Sequence, residues 1–151
     1  VCAPAEWAAP LDITPPSVMV RLPHGALLRR VIDASGQLTL SVATVSMADA
    51  LAEPPAEPSR LGLLAARRVT APHVAACLGW IECEVRPSQG HHGADGVLVC
   101  DVVATWAEEH AFRDGQWRFG DDAHRTVHMA ASGAFFATGE RVDARLSARG
   151  R

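Results

Sequence analysis

The segment from Gly79 to Trp106, GWIECEVRPSQGHHGADGVLVCDVVATW, constrains the fold more than any other part of the chain. In its first half Trp80, Glu82, Glu84 and Arg86 alternate with Ile81, Cys83 and Val85. A period of two puts the two sets on opposite faces of a half-buried β-strand. The stretch SQGHHGADG holds three glycines and no large apolar residue, so it reads as a polar turn. Val97 to Trp106 is almost continuously apolar and rich in valine. Such a strand is expected to be buried on both faces or central in a barrel. The rest of the chain is then what packs around this hairpin.

Before the hairpin, VCAPAEWAAPLDITPP carries four prolines and reads as a loop. Ser17 to Leu22 is a short strand, turned by Pro23, His24 and Gly25. In Ala26 to Ser35, Leu27, Leu28, Val31 and Ile32 fall at helical spacing, and Gly36 is a natural stop. Leu38 to Val42 is a strand. Ser46 to Glu53 reads as a short helix capped by Ser46 and ended by Pro54, Pro55 and Pro58. Ser59 to Arg68 is ambiguous, because leucine and alanine favour a helix that Gly62 weakens. Thr70 as N-cap with Pro72 behind it predicts a short helix over Ala71 to Leu78. After Trp106 comes a polar excursion with a turn at Asp114-Gly115. Arg125 to Ala131 is a strand or extended loop, Ser132 to Gly139 sets two aromatics between glycines, and the arginine-rich tail is expected to fray or lie on a partner subunit. Strands with a few short helices inserted argue for a small β-barrel, mainly β, over a doubly wound sheet.

A chain of 151 residues is long enough for one self-sufficient core. A net charge of −3 gives no electrostatic case for nucleic acid or an anionic membrane. No apolar run approaches the ~18 residues of a membrane span. The chain starts at Val1 without a methionine, which leaves open what precedes it. Four cysteines, Cys2, Cys77, Cys83 and Cys100, show neither CxxC nor finger spacing. Cys83 and Cys100 sit in apolar strand patterns, so they read as reduced core thiols in a cytoplasmic protein.

The chemical motifs are sparse. His91-His92 falls at the hairpin tip, where adjacent side chains diverge. His124 and His128 would share a face only on a helix, and their surroundings are not helical. No metal signature, nucleophile elbow, Walker loop or Gly-x-Gly-x-x-Gly occurs. Neither a catalytic side chain nor a metal ligand is therefore assigned. The basic pairs Arg29-Arg30 and Arg67-Arg68 either meet a phosphate or form a solvated face.

Taken in order, APAEWAAPLDITPP with SVMVRL, GALLRRVIDASGQLTLSV, APHVAACLGWIECEV, VLVCDVVATW and HMAASGAFFATGERV resemble the flavin reductase-like family with the FMN-binding split-barrel fold. The similarity runs over residues 2–142 and implies a domain over 1–142 followed by a tail, 143–151. It implies FMN held at a homodimer interface and hydride transfer to it from NADH or NADPH, with the cofactor carrying the chemistry. Reduced flavin would then pass to a separate oxygenase. The resemblance places Ala3, Pro4, Ala5, Glu6, Trp7, Leu27, Leu28, Arg29, Arg30 and His128 at the cofactor. Backbone amides of the Cys2–Trp7 loop with Arg29 or Arg30 would hold the phosphate. Trp7 would border the isoalloxazine or else anchor the core, and His128 would lie near the flavin or nicotinamide. Glu6 stands where the family often has a hydroxyl, and Leu28 and Val31 where it has a threonine and an asparagine. The alternative is a relative that keeps the barrel and the dimer without FMN, as a binding or scaffolding protein.

Overall fold

The computed structural model describes residues 1–5, 7–22, 26–87, 96–131 and 133–142. The expected turn at Pro23 to Gly25, the hairpin tip with His91 and His92, and the tail lie outside them. The described strands are β1 (Trp7–Ile13), β2 (Pro16–Arg21), β3 (Gln37–Val42), β4 (Leu63–Leu64), β5 (His73–Val74), β6 (Gly79–Val85), β7 (Val97–Ala107), β8 (Phe112–Arg113), β9 (Gln116–Trp117), β10 (Val127–Ala131) and β11 (Ala134–Ala137). Two short helices, α1 (Leu27–Ser35) and α2 (Ala48–Ala52), interrupt them. The chain is mainly β, with 43% of the described residues in strands. β1-β2-β7-β6-β3 form one antiparallel sheet, and three two-stranded ribbons flank it without closing a barrel of hydrogen bonds among the described residues.

The long hairpin is the middle of that sheet. β6 and β7 pair from Gly79↔Ala107 to Val85↔Cys100, with one irregularity at Glu82/Cys83. β2 flanks β7 and β3 flanks β6. β7 is central by pairing, but only one face is deeply buried: Leu98 and Cys100 are covered, while Val97, Val99 and Asp101 are half-buried. The main core joins Leu98, Cys100 and Cys83 to Val20 and Leu38, and α1 sets Ile32 against them. Cys83 and Cys100 are free and fully buried, and burial pushes their thiols up to about 12 and about 11. They pack as small hydrophobes, as their strand positions implied.

Three expectations need correction. The proline-rich start is not all loop, because Trp7–Ile13 forms β1. β1 is an edge strand, and Pro10 sits beside its register shift. A missing amide donor is tolerated at such a position. The segment Ser46 to Glu53 splits into a 3-10 turn, Val45–Met47, and α2. Ser46 caps neither, and its hydroxyl lies 2.8 Å from that of Thr44. Ala71 to Leu78 is not a helix. It runs through the extended β5, and Thr70 caps nothing; its amide and hydroxyl both donate to Gln37 Oε1 at 2.9 Å. Thr39 Oγ1 donates to Pro72 O at 2.7 Å, and Trp80 Nε1 donates to Val74 O at 2.8 Å. Those long-range partners satisfy backbone groups that a local helix would otherwise pair, and so override the capping signal.

Elsewhere the local rules hold. Gly36 closes α1 in the left-handed region at φ 68°, its amide donating to Ile32 O at 2.8 Å. Asp114 and Gly115, both at positive φ, join β8 to β9 in a two-residue turn.

Candidate functional site: an apolar cavity along an edge strand

A cavity of about 840 Å³ opens along β3, one of the two edge strands of the sheet. The N-terminal stretch, α1, the Thr70–Val74 segment and the β10–β11 ribbon complete its walls. The ribbon is fastened through the Thr44↔Thr126 bridge, with Val45 N donating to Arg125 O at 2.9 Å. Its lining is largely apolar, with Leu28, Val31 and Ile32 from α1 and Met129 and Phe135 from the ribbon. Thr39, Ser41 and Thr70 add hydroxyls. Cys77 also lines it, its Sγ 3.6 Å from Met47 Sδ. Burial pushes that thiol up to about 11, so it is not a thiolate nucleophile at neutral pH.

The residues singled out from the sequence divide. Ala3, Pro4, Ala5, Leu28 and His128 line the cavity together. Trp7 is on the edge strand, opposite Arg21 and 45% exposed, and belongs neither to the lining nor to the core. Leu27 and Arg30 are exposed at the start of α1, away from the lining. Arg29 is buried there: its Nε donates to Asp33 Oδ1 at 2.8 Å, and its Nη1 is buried without a hydrogen-bond partner. No side chain caps the start of α1, where Ala26 is the N-cap. Glu6 lies outside the described residues.

Sequence reasoning missed Thr39, Ser41, Thr70, Trp117 and Phe119. The Asp114-Gly115 turn predicts a hairpin but not where its aromatics dock. The structure sets Trp117 over Gly79, where an added Cβ would stand 3.2 Å from Trp117 Cη2 and force a small shift.

Behind the β3–β6 wall lies a polar cluster. Glu82 is fully buried at the middle of β6. Its Oε1 accepts from Arg67 N at 3.1 Å and from Trp106 Nε1 at 2.9 Å. Its Oε2 accepts from Arg68 N at 2.6 Å and Val69 N at 3.3 Å. His73 Nε2 is 3.1 Å from Oε1 but off the line of a hydrogen bond, and its ring stacks on Trp80 at 5.5 Å. Burial alone would raise the Glu82 pKa. The amides of Arg67 and Arg68, then the Trp106 indole and His73, outweigh it and hold the carboxyl below the usual value.

This antiparallel sheet, its edge cavity and the inserted α1 define a flavin reductase-like, FMN-binding fold. The chain belongs to the flavin reductase like domain family, which matches residues 1–128. An uncharacterized protein of Escherichia coli (strain K12), YddH, is 27% identical over 153 residues, covering 93% of this chain and 79% of YddH. The FMN-binding domain of a flavin reductases-like enzyme from Shewanella baltica OS155 superposes with a TM-score of 0.84 at 26% identity, over 93% of this chain and 80% of that one. Nitrilotriacetate monooxygenase component B from Bacillus cereus shares the fold, with a TM-score of 0.75 at 18% identity over 94% of this chain and 79% of its own.

The residues present fit FMN in kind. The cavity is within the roughly 300–1,000 Å³ range of cofactor pockets. Its apolar walls suit a planar ring system, and the uncapped start of α1 suits an anion. Among the described residues no three His, Cys, Asp or Glu side chains group as metal ligands, and no helix is long and apolar enough to cross a membrane.

Proposed function

We propose that this protein binds FMN in the β3-edge cavity and acts as an NAD(P)H-dependent flavin reductase-like oxidoreductase. The observation that carries this reading is the cavity itself, lined by Ala3–Ala5, α1 and β3 within the span that matches the family. Bound FMN would supply the redox chemistry by accepting hydride from the nicotinamide. The chain's own part is to bind and orient. Leu28, Val31 and Ile32 would form an apolar wall for the ring, and the Ala3–Ala5 backbone would hold the phosphate with Arg29 or Arg30, α1 side chains outside that lining. His128, which lines the cavity, would lie near the flavin or the nicotinamide. The working form is a homodimer of the 1–142 domain in the cytoplasm, and reduced flavin passes to an oxygenase partner. The match in fold to a monooxygenase component B supports that partner class.

The purified protein should show flavin absorbance, or acquire it with added FMN, and should then oxidise NADH or NADPH. Arg29→Ala or Arg30→Ala should weaken FMN titration by about tenfold, the loss of about one charge-assisted hydrogen bond. Unchanged affinity in both variants removes the phosphate role. A colourless protein that takes up no FMN and oxidises neither nucleotide overturns the flavin reading. It would favour a non-catalytic binding protein, for which Leu28 and Val31, apolar side chains at the cavity wall, are the motivating observation.

A further inference from the structure

We propose that Glu82 is a positioning residue for the cavity. From the far face of β6 it clamps the Arg67–Val69 turn, and so fixes Thr70, Ala71 and Pro72 as a wall of the site. This rests on the flavin reading for what the wall receives, but not for the clamp itself.

Between β4 and β5 the chain has no ladder of its own. Three successive amides, those of Arg67, Arg68 and Val69, converge instead on the two oxygens of one carboxylate. Such a concave run of amides is an anion nest, here filled from within the protein. The segment beyond it is carried by side chains of β3 and β6: Gln37 holds Thr70, Thr39 holds Pro72, and Trp80 holds Val74. Thr70, Ala71, Pro72 and Val74 line the cavity. The strap is therefore laid on the sheet by polar contacts, and Glu82 makes most of those at its entry.

Trp106 seals the clamp. Its Nε1 donates to Glu82, and the Arg67 guanidinium sits 3.6 Å from its ring centroid. Glu82 is not a proton donor or acceptor for the cavity. Glu82 does not line the cavity, and its oxygens are occupied by amides and an indole. Glutamine is no substitute, because one carboxylate oxygen becomes an NH₂ facing other donors.

The test combines native-state hydrogen exchange, read by mass spectrometry, with FMN titration of Glu82→Gln, the milder Trp106→Phe, and Leu98→Ala. The last truncates the core away from the strap and controls for lost global stability. In Glu82→Gln, exchange over residues 67–74 should rise at least tenfold relative to β6 and β7, and the FMN dissociation constant should rise at least tenfold. Trp106→Phe should move both in the same direction by a smaller factor, and it decides the matter if Glu82→Gln does not fold. Leu98→Ala should leave the strap-to-sheet exchange ratio unchanged. An unchanged ratio in both clamp variants overturns the proposal. So does a loosened strap with wild-type FMN affinity, which would mean that the wall needs no positioning. A wild-type protein that binds no FMN sinks the flavin reading instead, and the exchange ratio still decides the clamp.

Discussion

Glu82 and Glu84 occupy equivalent positions in the alternating pattern of β6, and by periodicity both belong on a polar face. Yet Glu82 is fully buried and Glu84 is exposed. The difference comes from the Arg67–Val69 turn, which covers one and not the other. That burial has a pH signature. Burial opposes ionisation, but the amides of Arg67 and Arg68, the Trp106 indole and His73 win, so the folded pKa lies below the ordinary 4.5. A carboxyl with a depressed folded pKa stabilises fully above its unfolded value and loses that contribution as pH falls through the folded one. The urea midpoint should therefore fall as pH drops below about 4.5, and the fall should be shallower in Glu82→Gln. An identical slope in the two proteins would show that Glu82 does not carry it.

Among the elements, the ones readable from the chain carry their signals locally. α1 starts and stops where the Leu27–Ile32 spacing and Gly36 say it does, and the β6–β7 pairing follows from an alternating stretch, a polar turn and an apolar run. Gly36 is held at φ 68° with open space around it, so only backbone strain opposes a side chain there. Gly36→Ala should cost about 1 kcal/mol in a denaturant titration, with no change in the fold. The strap shows the opposite case. Thr70 and Pro72 fit a helix start, but Gln37, Thr39 and Ser41 on the edge strand offer partners to Thr70, Pro72 and Val74. Those partners are about thirty residues away in sequence, beyond the reach of any capping rule.

For the whole molecule, the single chain leaves large apolar side chains uncovered, among them Ile13 at 85% and Phe136 at 71% exposure. On the β10–β11 ribbon Phe135 lines the cavity while its neighbour Phe136 faces out, opposite His128. A second copy of this chain over Phe136 would bury that ring and close the cavity beside it. Sedimentation velocity should then report a dimer at micromolar concentration. Phe136→Glu should shift it to monomer and weaken FMN binding together, and a dimer unaffected by the charge would place the interface elsewhere.

The sequence by itself determined the mainly β character, the long central hairpin, α1 with its glycine stop, and the buried place of Cys83 and Cys100. It also suggested the family, through five short fragments in order. Each of those signals lies within a few residues of the feature that it predicts, or in the order of such features. Only the tertiary structure decided that a proline-bearing stretch pairs as an edge strand, that Trp117 docks on Gly79, and that Glu82 is a buried clamp rather than a surface charge. Those outcomes depend on which groups meet across the sheet, and periodicity describes only the faces that a strand offers, not what comes to lie on them.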